Sequence, residues 1–548
     1  MHRDIGLTQL GNRLSGETNI ESILALDEQI REHEMAIARL KRSRNSLLNV
    51  SKLPPEVLGK IFRWNVTLKG DFDGLEEQSH NFLLVCHHWF EVASSTPELW
   101  CFWGNTPKDW ARWHRRSGTM PIDLVLDAEE GNGFLNGTLG IVLRRRAIRD
   151  TIRRVHLKSS NIDLLRSVIY ELTAAPQHPR STSVESLILQ DRGASGSVDI
   201  SSFLTYLTFP KLQRLELFDC MFWPWDLIMS RTPVLTTLSF HIRGIWCSDN
   251  PTTPQLLSIL ASYPTLQKLS LSWLEEPDRR GGGYSDDGGG DTSPRVQLHH
   301  LRELELDGWL RDVFMLLDRL DHPRHMDHLF ISMDGCDVED ISRIIGPYLR
   351  DYLSNRGGFQ NELGLSLRLP YTDTIELQIG DAGGVDFSSP VPARMNTFVT
   401  ITIELDQEPL RQLGKAILNL ITYTPQEEVV YFLVCGKPVA MEDISIQLSN
   451  LRGLHFEKTP LTAAFPKSLL DRDGDIFPSL EYILLDSVVV DRGDWSPLTT
   501  FLDWRVSRGD RLRALGMIGT YPTAPSDLRG LKDVVREFKH GTSGSTAP

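Results

Sequence analysis

Apolar positions along this chain fall into three successive regimes, each with its own period. From residue 20 to 48, Ile23, Leu26, Ile30, His33, Ile37, Leu40, Arg44 and Leu47 alternate at spacings of three and four, which traces a narrow seam down one side of a helix. Glu28, Glu32, Arg39 and Lys41 lie off that seam. Such a helix either folds back on the chain's own helices, the plainer expectation, or self-associates through residues 20–48. From 51 to 100 the pattern stays helical but the elements shorten. Pro54 and Pro55 suit a first helical turn, where a missing N–H costs little, and Glu56 complements the positive end of the helix dipole. Val57, Leu58, Ile61 and Phe62 then form one apolar stripe. Phe82, Val85, Cys86, Trp89 and Ala93 predict a second helix, and Thr96-Pro97-Glu98 opens a third before Leu99 and Trp100. Three helices of about ten residues cannot bury these side chains by themselves, so a partner or the rest of the chain has to cover the excess.

Beyond a helical stretch at 107–116, Ile122, Leu124 and Leu126 alternate as in a strand, and from there the sequence repeats. FPKLQRLEL (209–217), TPVLTTLSF (232–240), YPTLQKLSL (263–271), HHLRELEL (299–306), SNLRGLHF (449–456) and FPSLEYILL (477–485) share the core Leu-x-x-Leu-x-Leu. Its first leucines stand at Leu212, Leu235, Leu266 and Leu301, then at Leu451, Leu480 and Leu512, in steps of 23, 31 and 35 residues and then of 29 and 32. The last two apolar positions share one face of a short strand, and the first turns in from the loop before it. Further strands fit at 155–157, 187–189, 329–331, 365–367, 375–379, 398–405 and 429–434, with covering helices at 253–261, 313–320, 341–353 and 410–421.

Two family resemblances rest on these residues. Leu53, Pro54, Glu56, Val57, Leu58, Ile61, Phe62, Leu83, Val85, Cys86, Trp89, Ala93, Leu99 and Trp100 fall in the order of the F-box pattern, so that residues 51–103 resemble a three-helix F-box. The stretch from Trp64 to Asn81 is longer and more acidic than a minimal F-box, and His87-His88 stands where the family often carries basic residues. A long helix before Leu-Pro-Pro-Glu is similar to many fungal F-box proteins. The Leu-x-x-Leu-x-Leu segments resemble leucine-rich repeats, here with an irregular period. Together they imply an α/β fold: a flexible N-terminus at 1–19, a heptad-patterned helix at 20–50, an F-box at 51–103 and a curved solenoid of parallel strands at 104–540. That solenoid would be one continuous stack of about a dozen repeats. The Gly-rich acidic insertion at 277–294 and the tail at 541–548 read as flexible.

The function this resemblance implies is substrate recognition in a cullin-based ubiquitin ligase. The F-box would hold a Skp-type adaptor, and through it a cullin, while the repeats capture a protein target. A non-catalytic scaffold acting without ubiquitination is the alternative. Leu53, Pro54, Val57, Leu58, Ile61, Phe62, Val85, Trp89 and Trp100 are the implied adaptor contacts or their support. Trp223, Trp225, Trp246, Trp273 and Trp309 each follow a repeat strand and are candidate anchors for the target, since tryptophan is enriched in binding hot spots.

Composition narrows the alternatives. Lys plus Arg number 58 against 72 Asp plus Glu, a formal charge of −14, which argues against general binding to nucleic acid or anionic membrane. The short basic runs at 41–44, 112–116 and 144–146 read as solvated helix faces. Six cysteines without a C-x-x-C pair, no signal-peptide pattern and no run of 18 apolar residues point to the cytosol or nucleus. Asp471-Arg472-Asp473-Gly474-Asp475 fails the calcium-loop spacing, because its glycine comes fourth rather than sixth. His322, His325 and His328 have no carboxylate or cysteine at a ligand spacing, and Gly281–Gly290 lack the lysine of a phosphate loop. No hydrolase, metalloprotease or kinase signature is present. The expectation is a non-enzyme with neither metal nor cofactor.

Overall fold

The computed structural model describes residues 5–67, 80–103, 110–128, 145–160, 180–192, 207–221, 232–242, 253–273, 295–323, 326–336, 341–355, 363–368, 374–382, 396–405, 417–436, 448–466, 477–490, 494–519 and 534–541, with isolated positions between 143 and 201. The insertion at 277–294, the Asp471–Asp475 run and Gly281–Gly290 lie outside these residues. The chain divides into two compact units, Met1–Leu157 and Lys158–Pro548.

The first unit opens on a 42-residue helix, α1 (Ile5–Ser46). Residues 5–19, expected to be flexible, are thus helical: no proline interrupts them, and the helix runs on without a break into the heptad segment. After it come α2 (Pro55–Thr67), α3 (His87–Ser94), the short strand β1 (Phe102–Trp103), α4 (Trp110–Ser117) and β2 (Ile122–Ala128). β1 lies parallel to β2, with Phe102 opposite Asp123. Asp123 is buried, and the Arg153 guanidinium forks onto it, Nη2 donating to Oδ2 at 3.0 Å and Nε to Oδ1 at 3.2 Å. A buried carboxylate is tolerated there because its charge and its lone pairs are met together.

The second unit is built around one large, mostly parallel sheet. Its strands are β3 (Ser186–Asp191), β4 (Arg214–Phe218), β5 (Thr237–Ile242), β6 (Lys268–Trp273), β7 (Glu303–Trp309) and β8 (His328–Cys336). They are followed by β9 (Leu363–Arg368), β10 (Thr374–Asp381), β11 (Asn396–Leu405), β12 (Val429–Cys435), β13 (Gly453–Glu457), β14 (Tyr482–Asp486), β15 (Ala514–Ile518) and β16 (Glu537–Gly541). The last strand reaches Gly541, one residue into the segment expected to be a tail.

Two unbroken rows of apolar side chains cross the sheet. Leu187, Leu215, Leu238, Leu269, Leu304, Leu329 and Val399 stand in register in one row. Leu189, Leu217, Phe240, Leu271, Leu306, Ile331 and Ile401 form the other. All are buried, as are the leading leucines Leu212, Leu235, Leu266, Leu301, Leu451, Leu480 and Leu512 that turn in from the preceding loops. The ladder continues into those loops: Thr236 N–H donates to the Gln213 carbonyl at 2.8 Å, Gln267 to Thr236 at 2.7 Å and Arg302 to Gln267 at 2.7 Å.

The expected order breaks once. β8 pairs not with β9 but with β11, and the sheet then runs β11-β10-β9-β12 before resuming sequential order to β16. β10 is antiparallel to both neighbours, so the stack is not wholly parallel. The connection from β9 to β10, 369–373, is too short for the crossover that a parallel neighbour requires, and a hairpin is the geometric alternative. Leu365, Leu367, Ile375, Leu377, Ile379, Val399, Ile401 and Ile403 still fill the apolar rows, which is why the reversal leaves the core intact.

Helices α5 (Thr253–Ala261), α6 (Leu310–Arg319), α7 (Gly346–Asn355) and α8 (Ser496–Ser507) flank the strands. A single turn of π-helix, Ile341–Ile345, precedes α7, and only residues from 417 onward are described in the helix expected at 410–421. Aromatic contacts tie sheet to helix: Phe465 meets Phe456 of β13 at 5.3 Å and Phe501 of α8 at 5.0 Å. Arg505 of α8 donates to the carbonyls of Phe477 and Leu480 at 2.9 and 3.0 Å, satisfying the turn before β14. The residue after a strand often takes a left-handed conformation: Asp219, Gly436, Lys458, Ser487 and Gly519 all have positive φ. The first four donate their N–H to a carbonyl at the end of the next strand in the sheet, His241, Glu457, Asp486 and Ile518 respectively, at 2.7 to 3.1 Å.

Two predictions come from this geometry. Gly519 at φ 61° accepts a side chain only with strain. Gly519→Ala should therefore cost about 1 kcal/mol, measured as a lower denaturation midpoint. His455 is buried with Nδ1 2.8 Å from the Tyr431 hydroxyl, and burial lowers it from 6.5 to about 4 despite the opposing charge of Asp486. Above pH 6.5 this adds no penalty; as pH falls from 6.5 towards 4 the unfolded chain takes a proton that the native state refuses, and stability is lost. The loss is about 2 kcal/mol at pH 5, and His455→Gln should remove it in chemical denaturation compared at pH 7 and pH 5.

Candidate functional site: an apolar surface on the 51–103 module

Pro55 begins α2, with the N–H of Leu58 donating to the Pro54 carbonyl at 3.0 Å. One side of α2 builds a core: Leu58 and Phe62 are buried with Phe82, Val92, Ala93, Leu99 and Trp100, and Leu53, Leu83 and Trp89 pack against them half-buried. Phe62 stacks on Phe82 at 4.7 Å and tilts against Trp89 at 5.0 Å. Trp100 Nε1 donates to the Ala93 carbonyl at 2.8 Å, and its ring sits edge-on to Trp113 at 5.4 Å with the Arg116 guanidinium 4.1 Å above it. Gly59 permits the close approach of Thr96, whose hydroxyl oxygen would lie 3.2 Å from an added Cβ.

The expected second and third helices are reduced. Phe82 lies in a 3-10 turn, His80–Leu84, α3 starts only at His87, and Leu99 and Trp100 end another 3-10 turn, Pro97–Trp100. Cys86 is extended, with φ −162°, which breaks the helix that the spacing of Phe82, Val85 and Trp89 predicts. His87 pairs with Glu91 at 3.3 Å, one turn along α3.

This core leaves an apolar set outside. Val57 and Ile61 are 41% and 45% exposed, Trp64 69%, Leu84 85% and Val85 54%, and Pro54 is exposed beside them in sequence. Val57, Ile61 and Trp64 recur at four and three residues on one side of α2, about 100° round the helix from Leu58 and Phe62. The stripe expected at 57–62 is thus two faces. Of the nine expected adaptor residues, Pro54, Val57, Ile61 and Val85 are exposed, Leu53 and Trp89 are half-buried, and Leu58, Phe62 and Trp100 are core. Trp64 and Leu84 were missed, although Trp64 continues the 57–61 spacing.

Of the five tryptophans proposed as anchors, only Trp273 and Trp309 lie among the described residues. Trp223, Trp225 and Trp246 lie outside the described residues, Trp273 ends β6, and Trp309 is half-buried between β7 and α6. Across β4 to β7 the sheet face opposite the leucine rows is instead mostly polar. Ser270 Oγ lies 3.0 Å from His241 Nε2 and donates to Glu305 at 2.7 Å, and Ser272 donates to Asp307 at 2.7 Å. Lys268 pairs with Glu303 at 2.7 Å and Arg214 with Glu216 at 2.8 Å. Arg214, Glu216, Lys268, Ser270, Glu303 and Glu305 occupy the x positions of the repeat, while His241, Ser272 and Asp307 follow its last apolar residue, and that alternation was the available signal.

Other chemistry is sparse. His322 is held by the Tyr348 hydroxyl at 2.9 Å, and His325 lies outside the described residues. Among the described residues no cluster of His, Cys, Asp or Glu could hold a metal ion, and no helix is long and apolar enough to cross a membrane. Burial and Asp123 push the Cys101 thiol up to about 11. Comparison of the chain with protein-family models and with curated proteins gives no match.

The two faces of α2 separate in their consequences. Leu58→Ala should destabilise the first unit by about 3 kcal/mol through the cavity it leaves, whereas Ile61→Ala should change stability by less than about 0.5 kcal/mol. Thermal denaturation of the two variants checks this.

Proposed function

We propose that this chain is a non-catalytic receptor subunit of a cullin-type ubiquitin ligase. The 51–103 module acts as an F-box that docks a Skp-type adaptor, and the second unit acts as a leucine-rich-repeat-like solenoid that captures the protein target. The observation that carries the reading is the apolar set Val57, Ile61, Trp64, Leu84 and Val85, exposed on a module whose core is already filled by Leu58, Phe62, Phe82 and Trp100. Apolar side chains at helical spacing that fill no core of their own fit a partner's groove. In this role the chain supplies no chemistry; it raises the effective concentration of a target lysine near the ligase's charged ubiquitin carrier. The repeat reading is supported by the in-register rows and by the recurring left-handed residue after the strands. Target capture is assigned to the polar sheet face and to Trp309, in the cytosol or nucleus.

Val57→Asp combined with Ile61→Asp should abolish co-purification of a Skp-type adaptor and a cullin while leaving circular dichroism unchanged, since neither side chain is in the core. Ubiquitinated targets accumulating under proteasome blockade with the intact chain, and not with this variant, complete the test. Adaptor retained by a folded variant would sink the proposal; adaptor bound without ubiquitinated targets would favour a scaffold.

A further inference from the structure

The seam of α1 is bare. Ile23, Leu26, Ile30, Ile37 and Leu40, and Leu47 one residue past the end of α1, are 51% to 77% exposed, so the helix does not fold back on its own chain to cover them. A helix about 60 Å long with five exposed aliphatic side chains on a heptad line, and a sixth just beyond its end, gains little from water and needs a second helix to bury them. The charge along α1 says which one. Residues 20–34 carry Glu21, Asp27, Glu28, Glu32 and Glu34 against Arg31 alone, while residues 35–48 carry Arg39, Lys41, Arg42 and Arg44 and no acid. The first half of the 20–48 seam is acidic and the second half basic, so the partner that complements this segment best is the same segment reversed.

We infer that α1 forms an antiparallel coiled coil with α1 of a second copy of this chain. With Ile23 and Arg44 at core positions of one kind and Leu26 and Leu47 at the other, an antiparallel register sets Ile23 against Leu47 of the second copy, Ile30 against Leu40, Ile37 against His33 and Arg44 against Leu26. The flanking positions then bring Asp27 to Lys41 of the second copy, twice by symmetry, with Glu34 meeting its counterpart at the dyad. A parallel register would instead stack Arg44 on Arg44, His33 on His33 and the acidic half on the acidic half. The antiparallel arrangement is isologous and closes as a dimer. It uses no residue of the 51–103 module.

The test is sedimentation equilibrium on the full chain. The intact protein should dimerise at tens of micromolar or below, and Ile30→Asp with Ile37→Asp should be monomeric. Asp27→Lys and Lys41→Asp should each weaken the dimer about fivefold, because two attractive pairs become repulsive, and the two changes together should restore it to within about twofold. A monomeric intact chain, or a dimer that survives the isoleucine changes, would overturn the inference. So would a combined charge swap no tighter than its single changes, since a parallel dimer or a different surface gives no such rescue. Adaptor binding measured on the same variants should be unaffected, which keeps this result separate from the proposed function.

Discussion

Register across the large sheet is the constraint on which the second unit depends. A parallel strand of five or six residues makes too few hydrogen bonds to persist alone, and a slip of one residue would turn its leucines to the polar face. Leu215 and Leu217 in β4 meet Leu238 and Phe240 in β5, and these meet Leu269 and Leu271 in β6. Each strand's placement is therefore fixed by its neighbours and fixes them in turn. The opposite face is organised by the same register: because Ser270 and Glu305 are cross-strand partners, the serine hydroxyl reaches the carboxylate directly. The polar network thus follows from the spacing of the leucines.

Where the repeat signature holds, the sequence was a good guide. Leu-x-x-Leu-x-Leu placed β4 to β7 and β13 to β15 and named buried leucines, because period-two alternation depends only on local geometry. Between 363 and 405 the same alternation located strands but could not orient them, since an apolar row is filled equally well by a parallel or an antiparallel strand. The deciding feature was the length of the 369–373 connection. The left-handed positions at Asp219, Lys458 and Ser487 were invisible for another reason: none is glycine, and the hydrogen bond that each N–H gives to the neighbouring strand is a non-local contact.

In the 51–103 module the apolar content was legible and its division was not. Adjacent residues such as Val57 and Leu58 stand about 100° apart on a helix, so a broad stripe can as well be two faces with different roles. Only the packing of Phe62 against Phe82 and Trp89 shows which face is core. The turn at Cys86 could not be read from spacing, because Phe82, Val85 and Trp89 keep a helical interval across a segment that is not a helix.

The reversed segment also orders events in time. Repeat arrays can extend one unit after another, each new strand docking on the last. Here that progression stops at β8, whose partner β11 begins at Asn396, after β9 and β10 have been made. As the chain emerges from synthesis, the edge of β8 stays open until the β9–β11 meander is complete, and only then does β9 offer an edge to β12. The two runs of parallel strands are therefore joined through a pairing that brings Leu329 to Val399, a long-range closure of the kind that raises contact order and slows the formation of a sheet.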